Sequence, residues 1–271
     1  MRTTQRPATG ARVPATVLAY DIETIAPVAE DGSFPPWPLH RPIAVGFATA
    51  THARGDWSFD IDAQVIGGDV DEADLIRATD SRMAAAEIVT SYNGAQFDSL
   101  VLRLAAQRSR LWQLKALADH AAAHRYGGEH VDLADLYASY GRKVGLAALC
   151  EQIGIPAKTD VSGADVGALW EAGETDRIRR YVMEDAVATL CLYLAWSAAR
   201  AANEALITRS LAALARHIEA TPALEHLHAF VDCALMRWCR PRALQADVAA
   251  ALGRITERLR REEQERLFVR P

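Results

Sequence analysis

The period of apolar positions changes along this chain, and the change divides it. Ala15 to Tyr20 is an apolar run of strand length that ends on Asp21-Ile22-Glu23-Thr24. Ile43 to Thr51 is a second short run, apolar and rich in small residues. Trp57-Ser58-Phe59-Asp60-Ile61 alternates with the period of two that a half-buried third strand shows. Between these two, His52 to Asp56 carries Gly55 and suits a hairpin turn. Ala26 to Pro42, with Phe34, Trp37 and His40 among its prolines and glycine, reads as a loop. The period then turns helical. Asp71 to Ala86 has acids in its first turn, where the helix dipole favours them. Glu87 to Tyr92 is a short β-prone run that Asn93-Gly94 breaks. Phe97 to Gln107 and Trp112 to His124 follow as helices, Gly127-Gly128 ends that region, and His130 to Leu133 is a last short strand. Helices cover Gly145 to Ile153, Val166 to Ala172 and Thr175 to Ala201.

Early hairpin-type strands followed by strand-helix alternation predict an α/β fold, a mixed β-sheet flanked by helices. The expected division is a disordered lead-in over 1–14, one α/β domain over 15–201, and an all-helical C-terminal extension over 202–271. In that extension Val248, Leu252, Ile255 and Leu259 form a narrow stripe among mixed charges. Such a stripe packs on the parent domain or on a partner helix, so self-association or protein docking through these helices is one reading.

Composition narrows the class. With 271 residues, 50% of them hydrophobic and 24% charged, the chain can bury a sizeable core. No apolar run is expected to span a bilayer, and Met1 to Arg12 lacks the apolar stretch of a secretory signal. Cys150, Cys191, Cys233 and Cys239 form no C-x-x-C pair, so a reduced cytoplasmic compartment is the default. His226, His228, Cys233 and Cys239 have a spacing that fits no common zinc module. The net charge of −5 argues against a protein that coats nucleic acid, but not against an enzyme that grips one strand end.

The acids carry the chemistry. Asp21 and Glu23 stand two apart on a strand and share a face, where they repel unless solvated or bridged by a hard cation. Asp98, in Tyr92-Asn93-Gly94-Ala95-Gln96-Phe97-Asp98, falls at a strand-to-helix junction; alone it is equally an acid placed by the helix dipole. Tyr181 and Asp185 stand four apart on the long helix, so one face presents a phenol beside a carboxylate. Lys143, Lys158 and Arg142 read either as phosphate contacts or as solvated surface charge, and Asp132 and Asp135 as structural acids near the sheet end.

Taken in order, D-x-E, N-x-x-x-F-D and Y-x-x-x-D resemble the tyrosine branch of the DEDD exonuclease superfamily. The closer similarity is to predicted exonucleases related to the proofreading 3'-5' exonuclease domain of family B DNA polymerases. The stretches His130 to Leu136, Leu146 to Cys150 and Ile153 to Lys158 also look like that group. The resemblance covers roughly Ala15 to Ala195 and implies an RNase H-like fold holding two divalent cations, Mg²⁺ or Mn²⁺. It implies that Asp21 bridges both cations, that Glu23 and Asp185 hold the one that activates water, and that Asp98 serves the other. Tyr181 would orient the attacking water, and Thr24, Asn93 and Phe97 would contact the terminal nucleotide, although Phe97 equally suits burial under the sheet edge. The implied activity is removal of nucleoside monophosphates from a 3' end, single-stranded DNA being the first choice of substrate. Short RNA is the alternative, and a nucleic-acid-binding module without catalysis is a reading from another class. A transposase or resolvase nuclease would also cluster acids, but it would not call for the Tyr181–Asp185 pair.

Overall fold

The computed structural model describes residues 13–27, 33–122, 130–138, 141–156, 163 and 165–268. Five strands form one sheet: β1 (Thr16–Ile25), β2 (Arg41–Ala53), β3 (Asp56–Val65), β4 (Ile88–Ser91) and β5 (His130–Asp132). Their spatial order is β3-β2-β1-β4-β5. The first three run as an antiparallel meander, and β4 and β5 are parallel to β1. This is the mixed sheet expected from the sequence. The two strands of the β2–β3 hairpin meet at Arg54-Gly55, both with positive φ (56° and 92°). Two such residues make the tight turn whose twist matches that of the paired strands. The hairpin strands run longer than their apolar runs, because the pairing from Ala44↔Val65 to Ala53↔Asp56 extends past the apolar core.

On one face of the sheet lie α1 (Glu72–Ala85), α2 (Asp98–Arg108) and α3 (Lys115–Ala122). α1 starts on a capping box, in which Asp71 Oδ1 accepts from the Asp74 N–H at 2.8 Å. The short α4 (Leu133–Leu136), α5 (Leu146–Ile153) and α6 (Val166–Glu171) lead to α7 (Thr175–Ala201), which crosses the opposite face against β1, β2 and β3. α8 (Glu204–Ala220), α9 (His228–Val231) and α10 (Ala234–Phe268) complete the chain. Leu206, Leu211, Leu214 and Ile218 of α8 join the same hydrophobic cluster as the buried face of α7. The first part of α10 rests on α8, and its middle exposes Val248, Leu252, Ile255 and Leu259.

β1 separates two cores. Val17 and Ala19 face the α7 side, whereas Leu18, Tyr20 and Ile22 face α1 and α2. Contrary to the expectation from apolar runs, α7 is by length and composition long enough to cross a membrane. Its apolarity is spent inside the fold: 67% of that window is buried. A helix apolar on most sides is what a sheet on one flank and helices on the other require.

Candidate functional site

Strand parity delivers the first two carboxylates. Asp21 and Glu23 continue the alternation of Val17 and Ala19, so they project toward α7 rather than toward α1. A register shift between Glu23 and Thr24 then breaks the ladder with β2. Such irregularities re-aim a side chain, and here Thr24 turns to His40. The Thr24 Oγ1 to His40 Nδ1 distance is 2.7 Å, and His40 Nε2 lies 3.1 Å from the Pro35 carbonyl oxygen. A carbonyl only accepts, so in the neutral ring Nε2 donates to it and Nδ1 accepts from the threonine hydroxyl.

α7 supplies the third carboxylate because it comes unusually close to the sheet. Opposite Asp21 in the ladder stands Gly46. A Cβ there would lie 2.1 Å from the Val182 carbonyl oxygen, so a side chain at this position would hold the helix off. Val182 follows Tyr181 and precedes Asp185 by less than one turn. The approach brings carboxylate oxygens of Asp21, Glu23 and Asp185 all within 4.8 Å of one another. Glu23 is buried, while Asp21 and Asp185 keep partial exposure. Three hard oxygen donors at this separation could hold a metal ion, and a hard cation suits them.

Tyr181 is buried against this trio. Its phenol is pushed far above its ordinary range, first by burial, then by the charges of Asp185, Glu23 and Asp21 and by a hydrogen bond to Asp185. A phenol held protonated is a hydrogen-bond donor and not a base.

Asp98 stands outside that trio. It is the first residue of α2, it is buried, and it is not one of the three acids that converge. Burial first, and the neighbouring Asp132 second, push its carboxyl well above the usual range. Around it is a buried polar cluster on the α2 side of the sheet. Tyr20 Oη and His120 Nε2 are 2.8 Å apart, Ser91 Oγ and His130 Nε2 are 3.1 Å apart, and the two imidazole centroids are separated by 3.7 Å.

The described residues give Asp132 a definite job. Its carboxylate accepts from the backbone N–H groups of Asn93 (2.9 Å), Ala95 (3.0 Å) and Ala134 (3.0 Å). It therefore pins the turn after β4 and caps α4. Asn93 sits at φ 67°, a left-handed conformation that asparagine tolerates. Its side-chain oxygen accepts from Lys143, whose ammonium also pairs with Asp135 at 3.3 Å. Lys143 is thus a tie between loops; Arg142 is exposed, and Lys158 lies outside the described residues.

Phe97 is half-buried, as its expected place under the sheet edge requires. One flank packs on the core beneath α1 and α2, and the other meets His40 at 4.9 Å between centroids. Phe34, 74% exposed, completes the group at 4.8 Å from His40 and 5.7 Å from Phe97. Neither Phe34 nor His40 stands out by period in the sequence. The only signal was an aromatic and a histidine inside a proline-rich loop.

A family model described as "Predicted 3'-5' exonuclease related to the exonuclease domain of PolB" matches residues 32–234. That span holds Asp98, Tyr181 and Asp185, and starts after Asp21 and Glu23. Among solved structures, the family B DNA polymerase from the hyperthermophilic archaeon Pyrobaculum calidifontis is similar at 20% identity and a TM-score of 0.45. The match covers 79% of this chain and 27% of that one. No curated protein matches the sequence.

Proposed function

Because this chain belongs to the family of predicted 3'-5' exonucleases related to the exonuclease domain of PolB, we propose that it removes nucleoside monophosphates from the 3' end of single-stranded DNA. The observation that carries this reading is the convergence of Asp21, Glu23 and Asp185, from β1 and α7, beside a protonated Tyr181.

Phosphodiester hydrolysis needs an aligned water, relief of charge on the non-bridging oxygens, and stabilisation of the departing 3'-oxygen. Two divalent cations, Mg²⁺ or Mn²⁺, would supply Lewis-acid charge relief and an acidified water when bound. Asp21, Glu23 and Asp185 would hold one of them between β1 and α7, and Asp98 would serve the other from the start of α2. Tyr181, which keeps its proton and donates it in a hydrogen bond to Asp185, would turn that proton to orient the attacking water once Asp185 holds a cation. Phe97 and Phe34 offer aromatic faces on which the terminal base stacks. Thr24, fixed by His40, and Asn93, fixed by Lys143, contact the terminal nucleotide from rigid backbone.

The test is digestion of 5'-labelled single-stranded DNA and RNA, each with and without Mg²⁺ or Mn²⁺. The expected result is a metal-dependent ladder shortening from the 3' end on DNA. A ladder on RNA alone would move the substrate to RNA. In Asp21→Asn, cleavage should fall by about 10³-fold or more while strand binding persists, as removal of a charged group central to the chemistry predicts. A wild-type protein that binds strands yet never shortens them with either metal would sink the enzyme reading.

A further inference from the structure

A second polar site lies at the other end of the sheet. A cavity of about 390 Å³ opens between the β2–β3 turn, α8 and α10. Arg54 reaches it from the turn, Arg209 and Arg216 from α8, and Arg254 from α10. Asp56 and Asp247 are the acids on its wall. Four cations against two anions leave a local excess of two positive charges, in a chain whose formal net charge is −5.

Ion pairing within the fold does not account for these arginines. Arg209 meets Asp247 at 3.6 Å, yet its Nε is buried with no hydrogen-bond partner among the described residues. The guanidinium groups of Arg54, Arg216 and Arg254 have no ion pair or hydrogen bond among the described residues. Guanidinium groups drawn together without partners repel one another, and a multivalent anion removes that cost. The size of the cavity suits a small ligand or one residue of a polymer. Trp57 adds an aromatic wall, its ring 4.7 Å from that of His52.

We propose that this cavity is a second binding site for a nucleotide phosphate, which rests on the exonuclease reading above. The anion has two sources: an upstream phosphate of the bound strand, or a released nucleoside monophosphate. Spacing separates them. Asp21 pairs with Gly46, and Ala53 at the turn lies seven residues further along β2. At ~3.3 Å per residue the cavity is roughly 23 Å from the acid trio. A strand at ~3.4 Å per stacked nucleotide needs about seven nucleotides to reach from one to the other.

The experiment uses the full chain with Arg54→Ala, Arg216→Ala and Arg254→Ala combined, all three being exposed side chains. Binding is measured in chelator, so that cleavage does not enter. The probes are a single strand of about 20 nucleotides, one of about four, and a free nucleoside monophosphate. If the strand occupies the cavity, the variant loses about tenfold or more in affinity for the long probe and none for the short one. Its log–log salt slope also shrinks by about 2, at ~0.7 per phosphate contact. If released product occupies it, only the monophosphate weakens, as calorimetry would show. Either result supports a nucleotide-phosphate site. Unchanged affinity and salt slope with all three probes would overturn it, even if the wild type cleaves. Arginine-dependent binding by a protein that never cleaves would keep this site and sink the exonuclease reading instead.

Discussion

Two groups of acids sit at one edge of the sheet, and they are built on opposite terms. Asp21, Glu23 and Asp185 converge on the α7 face, with two of the three partly exposed. Asp98 and Asp132 are both buried on the α2 side. Asp132 receives three backbone N–H groups, so its charge is matched by the turn it holds. The trio instead gathers negative charge at one point within reach of solvent. Carboxylates that hold backbone donors fix a fold, whereas carboxylates gathered within 4.8 Å of one another concentrate the charge that a hard cation neutralises. Asp98 stands between these cases. It is buried like a structural acid, and Asp132 beside it makes ionisation costlier still.

The largest loss of stability expected from this comparison comes from a residue with no charge. Gly46→Ala places a methyl 2.1 Å from a backbone oxygen, and backbone cannot rotate aside. α7 must shift, carrying Tyr181 and Asp185 away from Asp21 and Glu23. Overpacking of this kind costs about 3 kcal/mol in urea unfolding. A displacement near 1 Å at the chemistry costs about 100-fold in rate. If the alanine variant keeps wild-type cleavage and stability, close approach of α7 is not what assembles the trio.

Asp132→Ala tests the structural side. Three backbone donors lose a charged acceptor, and denaturant unfolding should show a loss of about 2–3 kcal/mol. Asp132→Asn keeps one oxygen, which already accepts from Asn93 and Ala134, and should lose about half as much. A loss of cleavage in Asp132→Asn with stability intact would move this residue from scaffold to chemistry.

The sequence carried a good part of both groups. Parity along β1 and the four-residue spacing on α7 are local, so Asp21 with Glu23, and Tyr181 with Asp185, were legible as pairs. The strands and long helices were legible for the same reason, and α7 keeps its expected bounds of Thr175–Ala201. What makes the pairs into one site was not. Gly46 matters only because β2 pairs with β1 in one register and Val182 packs above it. Asp132 matters because β5 lies beside β4. His40 holds Thr24 from sixteen residues away. Each depends on which strand neighbours which, and no period along the chain encodes that. The arginine cavity was invisible for the same reason, since its walls come from a hairpin turn and two helices far apart in sequence.

Per pH unit, the smallest expected effect concerns the floor beneath Asp98. Burial lowers His120 to about 2 and His130 to about 4, and the Asp132 and Asp135 charges only partly offset this for His130. An unfolded histidine titrates near 6.5. Above about pH 6.5 both rings are neutral in either state, and their contribution is fully present. As pH falls below that value the unfolded chain takes up protons that the folded protein refuses. Each histidine then costs the native state about 1.4 kcal/mol per pH unit. For His130 the loss ends near pH 4, and for His120 it continues toward pH 2. Asp98 works in the opposite sense: its raised carboxyl binds a proton in the fold first, so acidification returns stability there. The two signs are separated by a variant. In His120→Gln the difference in unfolding free energy from wild type should change by about 1.4 kcal/mol per pH unit between about pH 6 and 4. Parallel curves for the two proteins over that window would mean that the imidazole pair is hydrated, and that the polar floor on the α2 side is as open to water as the acid trio above α7.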